Sequence, residues 1–140
     1  MQASPNQIAT VLGLPDTATA LDLAAFCEAG LPVASLDALA ECFAPNERTL
    51  LDSLIAESTL RRRRRHGSLT SEESDVVVRL AAAWVFAQDT FRDPGKAQRF
   101  LLTEHPLLGG RRPLDLARAS TSGGQAVEEL LGRLKYGSAA

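Results

Sequence analysis

Residues 58–91, STLRRRRRHGSLTSEESDVVVRLAAAWVFAQDTF, decide how the chain is read. Ser58 to His66 predicts a short helix crowded with positive charge, capped by Ser58 and stopped by Gly67. Thr70-Ser71-Glu72-Glu73 then opens a second helix. The Thr70 hydroxyl can accept from the Glu73 N–H while the Glu73 carboxylate reaches back, a capping box. That helix runs to Phe91. Val77, Leu80, Trp84, Ala87 and Phe91 mark one face and Val76, Ala83 and Phe86 a second, so it is expected to be covered on more than one side. It is the expected spine of the chain.

Upstream, residues 1–15 have no period and are expected to be a mobile tail. Asp16 or Thr17 can cap a helix that Gly30 ends, with Leu21, Ala24, Ala25 and Cys27 as apolar positions. Leu36, Leu39, Ala40 and Phe43 space a second helix from about Val33. Pro45 suits the first turn of a third, whose Leu50, Leu51, Leu54 and Ile55 form one stripe. Helix, tight turn, short basic helix is the helix-turn-helix arrangement, in which the second helix lies in the major groove. Downstream, Asp93-Pro94 caps a helix through Ala97, Phe100 and Leu101. HPLLGGRRPLDLA is turn-rich with a short helix near Leu114 to Ala117, and Gly109 and Gly110 suit positive φ. Thr121 or Ser122 caps a last helix, with Ala126, Val127, Leu130, Leu131 and Leu134 on one face. No segment alternates as a strand does, so the chain reads as all-α.

Charge is unevenly distributed. The net is −2, which excludes a globally basic nucleic-acid protein. Residues 1–60 hold eight acids and a single base, Arg48, and Arg61 to Arg65 then supply five positive charges in a row. A concentrated cationic patch on an acidic half points to one local anion partner. With Leu60 inward and about 100° per residue, Ser58, Arg61, Arg62 and Arg65 face outward, while Arg63 and Arg64 flank the core side. Arg64 is expected to lay its stem on apolar surface and send its head to a phosphate or an acid. Ser58, Arg61, Arg62, Arg64 and Arg65 are therefore the candidate DNA contacts. The alternative is a solvated charge run that binds nothing specific. One helix this short is a weak grip, so a homodimer presenting two such helices about one DNA turn apart is expected.

ESTLRRRRRHGSLTSEESDVVVRLA resembles the end of the helix-turn-helix domain of Xre-type antitoxins. AQDTFRDPGKAQRFLLTEHPLLGGRRPLDLARASTSGGQAVEELLGRLKYG resembles the toxin-binding domain of the Xre/MbcA/ParS antitoxin family. The marks are Phe91 with Lys96-Ala97, the Leu108-Gly109-Gly110-Arg111 turn with Pro113-Leu114-Asp115, and Gly124 with Val127-Glu128 and Leu131-Gly132-Arg133. Phe100 stands where the family usually carries a Trp-Leu pair, which keeps an aromatic and loses an indole N–H donor. The resemblance covers about residues 31–137. It implies the antitoxin of a type II toxin–antitoxin pair, with a RES-type NAD-degrading toxin whose active site the C-terminal domain covers. It further implies binding of the operon's own operator and autorepression. The rival is a stand-alone helix-turn-helix repressor with no toxin.

The residues themselves also point to a protein partner. A segment as small as 93–140 buries too little to use all its apolar surface, so Leu107, Leu108, Leu131 and Leu134 are expected to leave a patch for another protein. Arg111 and Arg112 are candidate rim contacts. By resemblance, the last helix and tail lie nearest the toxin, which adds Arg133, Lys135 and Tyr136. The expected domains are thus a tail over 1–15, a helix-turn-helix domain over 16–69 and a toxin-binding domain over 70–140 with the 70–91 helix as its spine.

Catalysis is not expected. His66 and His105 lack metal-ligand spacing with Cys27 or Cys42, and LGGRRPLD lacks the Gly-Lys-Ser/Thr end of a phosphate loop. No cofactor and no metal are expected. The N-terminus does not read as a signal peptide, and Val76 to Ala87, interrupted by Arg79, falls short of the ~20 residues a membrane span needs. The cysteines read as buried thiols of a cytoplasmic protein.

Overall fold

A computed structural model of the chain describes residues 3–137; the tail beyond Gly137 and residues 1–2 lie outside it. Among the described residues the elements are α1 (Pro5–Val11), α2 (Ala20–Ala29), α3 (Val33–Glu41), α4 (Glu47–Leu54), α5 (Glu57–His66), α6 (Ser71–Phe91), α7 (Pro94–Leu102), a 3-10 turn (Pro106–Leu108), α8 (Pro113–Ala119) and α9 (Thr121–Tyr136), with no strand. The all-α expectation holds. The described residues divide into two compact units, 5–78 and 79–137 with residues 3–4. The division falls inside α6, not before Thr70. The start of α6 belongs with the first unit because its side chains are spent there, as follows.

In the first unit, the loop before α3 and the loop before α6 pair through their backbones. Leu69 N–H donates to Leu31 O (2.8 Å) and Val33 N–H to Gly67 O (3.0 Å). Ser74, fully buried, accepts from Leu31 N–H (2.8 Å) and donates to Thr70 O (2.7 Å). Gly30 sits at φ +90°, and a Cβ there would lie 2.3 Å from Leu69 O, so the approach requires glycine. The capping box forms as expected: Glu73 N–H donates to Thr70 Oγ1 (3.1 Å) and Thr70 N–H to Glu73 Oε1 (2.9 Å).

Three expectations need correction here. Residues 5–11 are helix, not a structureless tail. Ile8, Ala9 and Leu12 are buried, and the buried Ser35 hydroxyl donates to Leu12 O (2.8 Å), fixing α3 to the end of α1. The helix is two turns long, too short for a periodic signal. The α2 cap is Thr19 with a capping box to Asp22, not Asp16 or Thr17. Leu21 consequently points outward, 79% exposed. And α5 begins two residues earlier than expected, with Ala56 as N-cap and no side-chain cap bond, so Ser58 is an exposed first-turn residue rather than a cap.

The second unit is built on the end of α6, α7, α8 and α9. Leu80, Ala81, Ala87, Ala97, Leu101, Leu114, Ala117, Val127 and Leu131 are all at most 1% exposed. Each fully buried leucine or valine contributes about 1.5–3 kcal/mol. Asp93 caps α7 as expected, accepting from Lys96 N–H (3.1 Å). The α9 cap is Ser120, accepting from Gly123 N–H (2.9 Å), rather than Thr121 or Ser122. Gly123 and Gly124 allow two close approaches. A Cβ on Gly123 would lie 2.0 Å from Leu116 O, and one on Gly124 would lie 3.3 Å from the Arg79 stem. The Arg79 guanidinium continues past them to the open end of α8, donating to Ala117 O (2.5 Å) and Arg118 O (2.9 Å). A buried-stem arginine thus satisfies carbonyls that the helix itself leaves unpaired. The sequence offered Arg79 only as a charge interrupting an apolar run.

Because Gly123 meets backbone and not a movable side chain, Gly123→Ala is expected to separate α8 from α9. The cost should exceed about 1 kcal/mol. Thermal unfolding followed by circular dichroism checks it, with Gly132→Ala, where a Cβ meets open space, as the control that should hold or raise the midpoint.

Candidate nucleic-acid interface and partner surface

The α4–α5 pair is joined by Ile55 and Ala56 alone. Leu60 turns inward and is half-buried, which sets the rotation of α5. Ser58, Arg61, Arg62 and Arg65 are exposed at spacings of three and four, one outward face. The other two arginines are tied to the fold. Arg63 forms a bidentate pair with Glu73 (2.8 and 3.2 Å), and Arg64 another with Asp37 (2.9 Å twice). The expectation that Arg64 reaches an acid or a phosphate resolves to an acid. Its pair is open to solvent, with both side chains nearly half exposed, so it is worth little by itself.

These pairs shift the ionisations involved. Burial pushes the Glu73 carboxyl up, but the Arg63 guanidinium and the Thr70 N–H outweigh it and hold the group below the usual carboxylate range. The Arg63 and Arg64 guanidinium groups are both raised, by their hydrogen bonds to Glu73 and Asp37 first of all. Burial pushes the Cys42 thiol up to about 11, so it is neutral and unreactive at physiological pH.

In the second unit, the Leu108–Arg111 turn is shaped by Gly109 and Gly110 at φ +67° and +77°. His105 N–H donates to Arg111 O (3.1 Å), and Gly110 N–H to His105 O (3.0 Å), closing the loop. Leu107 is held outward at its tip, 68% exposed. Phe100 stacks between Phe91 (centroids 5.4 Å) and His105 (6.0 Å). An aromatic ring is therefore used there, whatever hydrogen bond an indole would have added. On α9, Leu134 (49%) and Tyr136 (54%) are exposed large side chains, and Arg133 is exposed beside them.

Three of the proposed partner-contact residues are placed otherwise. Leu131 is fully buried and belongs to the unit's own core. It lies on the same stripe as Val127, and periodicity alone does not say how wide the covered stripe is. Arg112 is bidentate to Asp115 (2.8 Å twice), and that contact holds the Asp115 carboxyl below its ordinary value. Lys135 pairs with Asp89 of α6 and lies 5.3 Å from the Tyr136 ring centroid. Leu108 is half-buried and Arg111 exposed.

Among the described residues no group of His, Cys, Asp and Glu could hold a metal, and no helix is long and apolar enough to cross a membrane.

A short helix pair whose second member presents cations outward, followed by a separate helical unit with exposed apolar tips, defines a helix-turn-helix protein with a partner-binding extension. The comparisons agree. Residues 22–82 match the antitoxin Xre-like helix-turn-helix domain, and residues 86–137 match the antitoxin Xre/MbcA/ParS C-terminal toxin-binding domain. The chain belongs to the Xre/MbcA/ParS family of antitoxins. No curated protein matches it.

Glu73 has its folded pKa depressed, so its contribution to stability is present above the unfolded carboxylate value, about 4.3, and is lost as pH falls through the lowered folded value. Glu73→Gln is therefore expected to lower the unfolding midpoint at neutral pH and to flatten its decline in acid. Thermal melts between pH 7 and pH 3 measure both.

Proposed function

We propose that the protein is the antitoxin of a type II pair whose toxin is of the RES class and consumes NAD, and that it binds the operator of its own operon to repress it. The toxin-binding domain match over residues 86–137 carries the first part. Exposed Leu107 and Leu134, with Tyr136, Arg133 and Arg111 around them, supply apolar anchors and a polar rim of the kind a partner covers. The RES class and its NAD chemistry come from the family resemblance alone. The toxin-binding match counts against a stand-alone repressor.

Operator binding is carried by the outward face of α5. Arg61, Arg62 and Arg65 can clamp phosphates or pair with guanine edges, and Ser58 in the first turn is placed where recognition helices meet bases. A single 10-residue helix gives limited contact. The active species is therefore a homodimer reading two half-sites about 34 Å apart, joined into a larger complex when toxin is bound. The setting is cytoplasmic, where both operator and NAD are found.

The experiment is co-expression with the adjacent gene, measuring growth and cellular NAD. The neighbour alone should halt growth and deplete NAD, and the pair should copurify. A harmless neighbour, or a pair that does not associate, removes the antitoxin reading. Changing Arg61, Arg62 and Arg65 together to Ala should abolish operator binding and spare neutralisation. Leu107→Glu with Leu134→Glu should do the reverse, because neither side chain is in the core.

A further inference from the structure

We propose that Arg48, on the first helix of the pair, contacts a backbone phosphate of duplex DNA in the groove between α4 and α5, and that Asp52 one turn along opposes it. The inference rests on the DNA-binding reading above and extends the footprint beyond the outer face of α5. Arg48 is the only base in residues 1–60, among eight acids. The fold brings it to the other cations: with Arg61 and Arg64 it lines an open groove of about 540 Å³ walled by α4 and α5. Leu51 and Leu60 form part of its lining, and Asp52 and Glu57 are the acids there.

Three guanidinium groups face two carboxylates, and one of the three, Arg64, is already held by Asp37. The surplus is too small to gather anions at random. It suits a single point contact, formed once α5 has docked. Docking geometry brings the phosphate there, because the first helix of such a pair crosses the DNA backbone while the second lies in the groove. Arg48 is also in the first turn of α4, whose N-cap Asn46 makes no side-chain cap bond. The positive end of that helix therefore reinforces the arginine. Asp52, on the same side one turn on, repels the same phosphate.

The test titrates the full chain, as wild type, R48A, R48K, D52N and the Arg61/Arg62/Arg65 triple-alanine variant, across a salt series. The probes are the duplex immediately upstream of its own coding sequence and a mixed-sequence duplex of equal length. R48A should weaken both by the same several-fold factor and reduce the salt slope by about 0.9, the value of one phosphate. R48K should keep the slope, and D52N should tighten both duplexes. If R48A changes neither affinity nor slope while the triple variant loses binding, the phosphate contact is wrong and the DNA-binding reading stands. If R48A changes discrimination between the duplexes and not the slope, Arg48 reads a base and the inference is overturned. If wild-type protein binds neither duplex, both fail together.

Discussion

The direction in which α5 presents its arginines is set by backbone, in the pairing of residues 31–33 with 67–69. Leu31 uses both its polar groups in this contact, its N–H to Ser74 and its carbonyl to Leu69 N–H. Gly67 ends α5 in the left-handed region at φ +84° and hands its carbonyl to Val33. The helix therefore cannot rotate about its axis without breaking bonds that have no water to replace them. Buried donors left unpaired cost about 1–3 kcal/mol each, far more than any exposed ion pair on α5. Arg63–Glu73 and Arg64–Asp37 follow from that orientation; they do not cause it.

The second unit solves the same problem with a side chain. α8 is seven residues long and ends without a glycine, so its last carbonyls need donors from elsewhere. Arg79 supplies them from α6, and its stem passes close over Gly124, where a Cβ would lie 3.3 Å from it. Gly123 meanwhile lets the first turn of α9 rest on the Leu116 carbonyl. Two adjacent glycines that look like a flexible start to a helix are packing residues. They let α8 and α9 approach closely enough to bury Val127, Leu130 and Leu131, which leaves Leu134 and Tyr136, the next residues along, outside.

Helix identities, the capping box at Thr70, the cap at Asp93 and the outward set Ser58, Arg61, Arg62 and Arg65 were all legible, because each depends on residues within one or two turns. What was not legible depends on contacts distant in sequence. α1 is too short to show a period, and the hydroxyl that ties its end comes from Ser35 of α3. Arg79 and Asp89 gave no sign of whom they meet, 38 and 46 residues away; the Arg112–Asp115 pair is the exception, a local contact three residues apart. Lys135 and Arg112 therefore looked available to a partner when their own chain occupies them. Leu131 was misplaced for a related reason: a helical stripe gives the direction of the core but not its depth.

Five consecutive arginines make a poor isolated helix. Like charges three and four residues apart, such as Arg61–Arg65 and Arg62–Arg65, each cost about 0.2–0.5 kcal/mol, and ten residues are marginal in water even without them. Part of that cost is offset within the protein. Arg63 and Arg64 are neutralised by Glu73 and Asp37, and Arg63 to His66 occupy the last turn, where the helix dipole favours positive charge. Arg61 and Arg62 receive neither form of relief from the described residues, and Arg65 only that of the dipole. A polyanion is the one partner that removes their mutual repulsion and gains charge-assisted hydrogen bonds at the same time. On the DNA-binding reading proposed above, the repulsion on the free face of α5 becomes part of the driving force for docking.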